Sequence, residues 1–288
     1  MRWTVAAFAP LASLAAGACS PVGLLNAMAP DQGIVHEADI AYGPLARQHL
    51  DVYAPARSAA GQPYPVIVFF YGGGWEDGDR GIYRFVGATL ASCGVVTVIP
   101  DYRVYPDVTF PAFMEDAARA VVWTRQHAGA FGGNPDRLFI MGHSAGAQIA
   151  TLLALDREYL EAAGMSQPVA GVIGLAGPYD FLPLKSAALK AIFGPESQWM
   201  RSQPIAYVAP GAPPMLLATG SDDTTVDPAN TQRLAARARA AGNAVTATVY
   251  PSIGHQMLIG AFARQLTFLA PVRRDVLDFV AAPAGACE

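Results

Sequence analysis

The sequence predicts an α/β fold: a mostly parallel, doubly wound sheet with helices on both faces. Short apolar runs with almost no polar positions recur along the chain, as is typical of strands buried on both faces. They lie at residues 66–70, 95–99, 138–141, 169–175 and 215–219. Helical stretches separate them, and this alternation favours a parallel sheet. Residues 35–41 and 48–53 instead alternate apolar and polar side chains, which predicts an antiparallel pair at one sheet edge.

Composition indicates a folded domain with a sizeable core. The 288 residues are 52% hydrophobic and 15% charged, which excludes a disordered chain. The net charge is −4 and no Lys/Arg cluster stands out, which argues against nucleic acid or an anionic membrane surface as partner. No linker divides residues 31–288, so we expect one domain. Its proline-rich stretch at about 178–214 is expected to form a small cap over the strand ends, or else a surface decoration.

The N-terminus predicts export. Arg2 is followed by a run of apolar and small residues at 5–18, too short to span a bilayer and typical of a signal peptide. Residues 16–19 resemble a bacterial lipobox, in which Cys19 is lipidated; the alternative is an ordinary cleavage site nearby. We therefore expect a signal peptide at 1–19, a tether at 20–30, and a periplasmic, membrane-anchored or secreted protein, whose membrane contact is limited to the lipid anchor.

The remaining cysteines, Cys93 and Cys287, leave a disulfide open in an oxidising compartment. There is no C-x-x-C motif and no His/Cys cluster, so no metal site is predicted. We expect no cofactor.

The most informative motif is G-x-S-x-G at residues 142–146, with Ser144 at its centre. An apolar strand at 138–141 precedes it, and an Ala/Leu-rich stretch without proline at 145–155 follows. A serine on the sharp turn between strand and helix presents its hydroxyl at the end of the sheet. We interpret it as a nucleophile elbow. The alternative is a glycine-rich turn with an inert serine.

A nucleophilic serine needs a base, which in turn needs an orienting acid. In the strand–elbow–helix arrangement these follow the serine in the order acid, then histidine. His255 is the single histidine after Ser144, and it follows the predicted strand at 245–250. It is the predicted general base.

Three aspartates after the strand at 215–219 compete for the role of the acid: Asp222, Asp223 and Asp227. Asp227 precedes a proline and is expected to cap the next helix. Asp223 fits the Gly-x-x-Asp-x-x-Val pattern of serine hydrolases and is the preferred candidate.

A glycine loop at residues 71–75, YGGGW, follows an early strand. Glycines let backbone N–H groups approach a developing negative oxygen, and the residue after the nucleophile donates a further N–H. Gly73, Gly74 and Ala145 are therefore the candidate oxyanion donors. No Lys-Ser/Thr follows the loop, so a phosphate-binding loop is excluded. Trp75 is expected to wall a substrate pocket or simply to pack.

Together these motifs resemble a known family. YGGGW, DYR at 101–103, GGNPDRLFIMGHSAGA at 132–147, GSDDTTVDP at 220–228 and the loop around His255 are similar to α/β-hydrolase carboxylesterases of the HGGGW-type bacterial branch. That branch includes feruloyl-esterase-like and arylformamidase-like enzymes and is similar to the hormone-sensitive-lipase group. The resemblance covers about residues 31–282.

The resemblance implies an α/β-hydrolase fold and a Ser144–Asp223–His255 triad, with Gly73, Gly74 and Ala145 as oxyanion donors. One departure is that Tyr71 stands where the family's loop begins with histidine, which concerns loop rigidity and substrate preference. The implied activity is hydrolysis of small or short-chain esters, with Trp75, Tyr179 and Phe181 shaping the pocket. The alternatives are an arylformamidase-like amide hydrolase or small peptidase, and a non-catalytic binding protein of the same fold.

Overall fold

The computed structural model describes residues 20–56, 62–283 and Cys287. Within them one sheet contains eight strands in the order β1-β2-β4-β3-β5-β6-β7-β8. Their bounds are β1 Ile34–Ala41, β2 His49–Pro55, β3 Tyr64–Phe70, β4 Val96–Pro100, β5 Gly133–His143, β6 Gly171–Leu175, β7 Met215–Gly220 and β8 Val245–Tyr250. The expected signal peptide and lipobox, residues 1–19 with Cys19, lie outside the described residues.

The helices fill the connections between strands and cover both faces of the sheet. Their bounds are α1 Pro21–Ala27, α2 Arg84–Ser92, α3 Ala112–His127, α4 Ala145–Leu155, α5 Glu158–Ala162, α6 Ala187–Phe193, α7 Ala229–Ala240, α8 His255–Gly260 and α9 Val272–Phe279. Short 3₁₀ turns at Arg80–Tyr83, Glu196–Ser202 and Pro204–Tyr207 complete the main connections.

The sheet is antiparallel at one edge and parallel elsewhere. β1 pairs antiparallel with β2, and β2 with β4. From β4 onward the neighbouring strands run parallel. The carboxyl ends of β3, β5, β6, β7 and β8 therefore meet at one edge, where ligands bind in open α/β sheets. The predicted doubly wound α/β architecture is confirmed.

The central strands and α4 form the middle of the core. Every residue of β3, β6 and β7 is buried, as the near-continuous apolar runs predicted. α4 packs across β3, β5 and β6, and all its residues except Leu155 are buried. A helix that is hydrophobic on every side is held inside a protein by its neighbours. The buried helix α4 therefore gives Ser144, the residue that precedes it, a rigid support.

The expected tether at residues 20–30 is wrong in part, because Pro21–Ala27 forms α1 and docks on the domain. The Asn26 side chain donates to the carbonyl oxygens of Gly81 (3.0 Å) and Ile82 (3.1 Å) and accepts from the N–H of Phe85 (3.0 Å). Ser20 caps the helix and Pro21 occupies its first turn. Both are helix-start signals that the sequence carries.

Residues 262–269 form turns with a 3₁₀ segment at Arg264–Leu266. The helices α5 and α8 are only five and six residues long. Helices this short show too little of the 3.6-residue period to be recognised in a sequence.

The structure pairs Cys93 with Cys287, with 4.6 Å between their Cα atoms. The bond joins the end of α2 to the C-terminal end of the chain, 194 positions away. It settles the pairing that the sequence left open. Separately, none of the helices in the described ranges has the length and hydrophobicity needed to cross a bilayer.

Candidate active site

Ser144 sits on a strained turn between β5 and α4. Its backbone lies at φ 56°, ψ −124°, a region that non-glycine residues rarely adopt. A Cβ atom on Gly142 would lie 2.0 Å from the Gly146 carbonyl oxygen, and one on Gly146 would lie 2.0 Å from that of Phe70. Both glycines of the motif are therefore needed for the strand and helix to approach. The Ser144 N–H donates to the Leu175 carbonyl (2.9 Å), which fixes the turn to β6.

His255, the first residue of α8, is paired with Asp223 on the loop after β7. His255 Nδ1 lies 2.7 Å from Asp223 Oδ2. The other carboxylate oxygen, Oδ1, accepts the N–H groups of Thr225 and Val226 at 2.9 Å each. Asp223 is buried, so these bonds fix its orientation. With Nδ1 facing the carboxylate, the second ring nitrogen of His255 is the one available to take up a proton.

The loops that carry this pair are bonded to each other. The N–H of Asp222 donates to the Ile253 carbonyl (3.0 Å), and that of Ser221 to the Tyr250 carbonyl (2.8 Å). A Cβ atom on Gly220 would lie 1.9 Å from the Ile253 carbonyl oxygen, so only glycine fits there. The loop after β7, which carries Asp223 (the acid loop), and the loop after β8, which leads to His255 (the histidine loop), therefore act as one unit.

The two other candidate acids have different partners. Asp222 is exposed and accepts from the Ser221 hydroxyl (2.7 Å). Asp227 accepts from the N–H of Ala229 (2.9 Å) at the start of α7, the capping role expected for it. Of the three aspartates, Asp223 is the one in contact with His255.

The histidine lies against the serine turn through His143, the residue before Ser144. His143 Nε2 is 3.1 Å from the His255 carbonyl oxygen, and the two ring centroids are 4.7 Å apart. Within the described chain, no hydrogen bond joins the Ser144 hydroxyl to His255. Catalytic hydrogen bonds of unliganded enzymes commonly tighten only when substrate binds. Burial lowers the pKa of His143 to about 3, so its ring is neutral near pH 7.

The glycine loop at the end of β3 reaches the same place. A Cβ atom on Gly72 would lie 2.9 Å from the Ser144 Cβ, so the loop touches the serine. Gly73 (φ 143°) and Gly74 (φ 62°) adopt conformations that favour glycine. In the part of the chain that the structure describes, the N–H groups of Gly73, Gly74 and Ala145 donate to no other residue. Three backbone donors close to the serine are thus left without a protein acceptor.

Tyr71, the first residue of the glycine loop, holds this loop in place. Its hydroxyl donates to Asp101 Oδ1 (2.8 Å) and accepts from Arg47 Nη2 (3.0 Å), which also donates to the Gly78 carbonyl (2.8 Å). The ring fills the space where a Gly78 Cβ would lie, 2.4 Å from Tyr71 Cε2. Burial raises the pKa of Tyr71, so the phenol remains a donor. The phenol thus takes part in a buried network, and the sequence did not indicate the parts played by Arg47 and Asp101.

A cavity of about 470 Å³ opens above the serine. Ser144, Ala145 and Gly74 line it on one side. An apolar wall faces them, formed by Trp75, Phe181, Leu182, Leu189 and Val226. Charged side chains complete the lining: Asp180, Lys185, Asp227 and Arg233. Several of these residues belong to the proline-rich segment that the sequence predicted as a cap.

Trp75 is held rigidly in that wall. Its ring stacks on Phe181 with 5.9 Å between centroids and meets Phe193 edge-on at 4.9 Å. Its indole Nε1 donates to Gln148 Oε1 (3.1 Å), and Gln148 Nε2 donates to the Ser202 carbonyl (2.8 Å). The wall is therefore tied to α4 and to the 3₁₀ turn of the proline-rich segment.

Tyr179, expected in the pocket, does not line this cavity. Its side chain is fully buried, and its hydroxyl oxygen lies 2.1 Å from where a Cβ on Gly174 would be. Its N–H donates to Asn230 Oδ1 (3.0 Å). The neighbouring Pro178 and Asp180 line the cavity instead. In an irregular segment no periodicity tells which side chain faces inward, so the sequence could not separate Tyr179 from its neighbours.

The chain is similar in sequence to known esterases. Esterase LipQ of Mycobacterium tuberculosis is 30% identical over 246 residues, which are 79% of this chain and 58% of that protein. The isoprenylcysteine alpha-carbonyl methylesterase ICME of Arabidopsis thaliana is 29% identical over 209 residues, 65% of this chain and 48% of the relative. The chain spans about half the length of the curated relatives it matches.

Solved structures show the same fold. A truncated carbohydrate esterase from gut microbiota superposes with a TM-score of 0.77 at 20% identity, covering 88% of this chain and 98% of the other. Esterase B of Lactobacillus rhamnosis gives a TM-score of 0.77 at 21% identity, covering 90% and 89%. The expected α/β-hydrolase fold is confirmed by these similarities. The BD-FAE family model matches residues 50–237, well over half of the chain, and the chain therefore belongs to the BD-FAE family.

Proposed function

We propose that the protein is a serine carboxylic ester hydrolase that cleaves small, short-chain esters through an acyl-enzyme. The observation that carries the proposal is the Asp223–His255 pair, which lies beside the Ser144 elbow. An aspartate that orients a histidine next to a serine on such a turn is the arrangement needed to make a hydroxyl nucleophilic.

In this reaction Ser144 Oγ attacks the ester carbonyl carbon while His255 accepts the hydroxyl proton. Asp223 keeps the imidazole oriented and stabilises its charged form. The N–H groups of Gly73, Gly74 and Ala145 are the proposed donors to the tetrahedral oxyanion. His255 then returns the proton to the departing alcohol. Water repeats the sequence on the acyl-enzyme and releases the acid.

The relatives support ester hydrolysis as the reaction class. LipQ and LipC of Mycobacterium tuberculosis are named esterases, and the plant relatives are named methylesterases. One solved structure of similar fold is an esterase from Thermogutta terrifontis with propionate bound. The cavity above Ser144 has a volume of about 470 Å³, within the range of small-molecule sites, and its aromatic wall is fixed by hydrogen bonds.

We also propose that the protein is exported. A disulfide persists in oxidising compartments and is rare in the cytosol, and Cys93 and Cys287 are paired. Lipidation of Cys19 belongs to the same proposal. Detergent-phase partitioning of the full-length product tests it, with Cys19→Ala as the control that should remain in the aqueous phase. If wild type and Cys19→Ala both remain in the aqueous phase, Cys19 is not lipidated. Export would then use an ordinary signal peptide.

The central experiment compares Ser144→Ala with wild type on p-nitrophenyl acetate and butyrate. We expect kcat to fall by about 10⁴-fold or more while the fold is retained. Ser166→Ala, on an exposed loop, is the matched control and should keep full activity. A fluorophosphonate probe should label wild type and Ser166→Ala but not Ser144→Ala. Near-full turnover by Ser144→Ala would refute the mechanism.

The same panel distinguishes the rival reactions. N-formylkynurenine and aminoacyl-naphthylamides are assayed beside the short-chain esters. A higher kcat/KM on either amide substrate would assign an arylformamidase-like or peptidase activity to the same serine. A protein that is not labelled and hydrolyses none of the substrates would be a binding protein of this fold.

A further inference from the structure

We infer that His143 is a positioning residue for the proposed general base: its Nε2–H holds the main chain of His255 against the nucleophile turn. The inference rests on the proposed function, because it assigns His255 the role of base. His143 itself lies outside the proton-transfer steps described above. The His143 side chain is buried next to the serine turn.

The direction of the hydrogen bond follows from its partners. His143 Nε2 lies 3.1 Å from the carbonyl oxygen of His255, and a carbonyl oxygen can only accept. Nε2 therefore carries the hydrogen, and Nδ1 is the unprotonated nitrogen of a neutral ring. Nδ1 is buried and has no hydrogen-bond partner in the described chain. The imidazole thus makes one specific hydrogen bond, and that bond goes to the proposed base.

This bond supplies a restraint that the other contacts of His255 do not. Asp223 holds the His255 side chain through Nδ1, and the backbone bonds of Asp222 and Ser221 tie the histidine loop to the acid loop. All of these lie on the side of β7 and β8. The His143 bond instead joins residues 112 positions apart and links the histidine loop to the residue next to Ser144. It therefore sets the distance between nucleophile and base.

The charge of His143 also suits a position beside the base. The two ring centroids are 4.7 Å apart with 41° between their planes. When His255 accepts the serine proton it becomes a cation, and a second cation at this distance would oppose that step. Burial, followed by the proximity of His255, lowers the pKa of His143 to about 3, so the ring stays neutral at working pH. A neutral donor restrains the base without repelling its charged form.

The test is a matched pair of substitutions. His143→Gln keeps an N–H donor at about the position of Nε2, whereas His143→Met has similar length and no donor. A displacement of about 1 Å in a catalytic group lowers rates by about 100-fold. We therefore expect His143→Met to lose about 10- to 100-fold in kcat with KM within about two-fold of wild type. His143→Gln should stay within a few-fold of wild type. The rate of fluorophosphonate labelling should fall in parallel with kcat.

Hydrogen exchange of the segment at residues 250–256 provides a second readout. It should be faster in His143→Met than in wild type, and close to wild type in His143→Gln. Should His143→Met fail to fold, His143→Phe keeps an aromatic ring without a donor and takes its place. Wild-type kcat in the donor-less variant, or an equal loss in the glutamine variant, overturns the inference. Activity in Ser144→Ala would instead overturn the proposed function, so the two failures are distinguishable.

Discussion

Asp223 Oδ2 and His255 Nδ1 are 2.7 Å apart, although the residues are separated by 32 positions and belong to loops after different strands. β7 and β8 are parallel neighbours, so both loops leave the sheet at the same edge. The second oxygen of Asp223 is held by two backbone N–H groups, which prevents the carboxylate from rotating away. The pairing is thus a consequence of strand order and of the tight turn at residues 223–226.

The first prediction concerns this carboxylate. Asp223→Asn keeps the shape of the side chain but removes its charge and alters the tautomer of His255 that it favours. We expect kcat on p-nitrophenyl butyrate to fall by about 10⁴-fold. Asp222→Asn, one residue earlier and exposed, is the matched control and should stay within about two-fold. A larger loss in Asp222→Asn would move the acid to that position.

A second prediction tests whether the Tyr71 hydroxyl holds the glycine loop in place. Tyr71→Phe keeps the stacked ring and removes the hydroxyl that joins Asp101 to Arg47. Loss of a buried hydrogen bond to charged partners lowers the free energy of unfolding by about 1–3 kcal/mol. Because the loop carries proposed oxyanion donors, kcat should fall by about ten-fold with little change in KM.

Tyr105→Phe is the control for Tyr71→Phe, since its hydroxyl makes no hydrogen bond to the described residues. Denaturant unfolding and steady-state kinetics measure the two effects separately. If Tyr71→Phe is destabilised but keeps its kcat, the network serves stability and not the geometry of the donors.

Much of this arrangement could be predicted because the relevant patterns are local. The apolar strands, the elbow at Ser144 and the glycine loop each occupy a few consecutive residues whose chemistry fixes their backbone. The order serine, acid, histidine then leaves His255 and three aspartates as the candidate partners of Ser144. Asp223 could be preferred but not placed, because its contact with His255 depends on how two loops meet.

Other features could not be predicted because they join distant parts of the chain. Arg47 reaches Tyr71 from the loop between β1 and β2, and no motif links those positions. The side on which Tyr179 packs depends on the space beside Gly174, a residue of β6. Similarly, the contact of His143 with His255 joins residues 112 positions apart and appears only in three dimensions.

A third prediction concerns acyl-chain preference. Phe181→Ala removes part of the apolar wall and leaves Trp75 without its stacking partner. We expect the ratio of kcat/KM for p-nitrophenyl hexanoate over p-nitrophenyl acetate to rise by about ten-fold, an effect that a single methylene in a hydrophobic pocket can supply. Met200→Ala lies in the same proline-rich segment but is 61% exposed, and should not change the ratio. An unchanged ratio in Phe181→Ala would show that the acyl chain lies elsewhere.

A fourth prediction follows from the buried neutral ring of His143. Its folded-state pKa is about 3, below the unfolded value of about 6.5. Above pH 6.5 both states are neutral, so the full stability is present. Below it the unfolded chain takes up a proton that the folded one does not. Stability is therefore lost at about 1.4 kcal/mol per pH unit as pH falls toward 3, or about 2 kcal/mol at pH 5.

His143→Gln isolates this contribution, because other titrating groups are common to both proteins. Urea unfolding at pH 7.5, 6.0 and 5.0 should show a shallower loss of stability in the variant. Parallel curves for the two proteins would mean that His143 is protonated in the folded state as readily as in the unfolded one.

The last prediction concerns the disulfide between Cys93 and Cys287. A bond that closes a loop of 194 positions removes much of the conformational freedom of the unfolded chain. Chain-entropy arguments place its contribution at about 5 kcal/mol, and measured values are commonly about 2–4 kcal/mol. Cys93→Ser and Cys287→Ser should each lower the free energy of unfolding by about that amount, and reductant should lower that of wild type alone. Activity on p-nitrophenyl butyrate at 25 °C should persist, because neither cysteine lines the cavity above Ser144. Wild type that shows two free thiols after isolation from an oxidising compartment would contradict the pairing and remove its support for export.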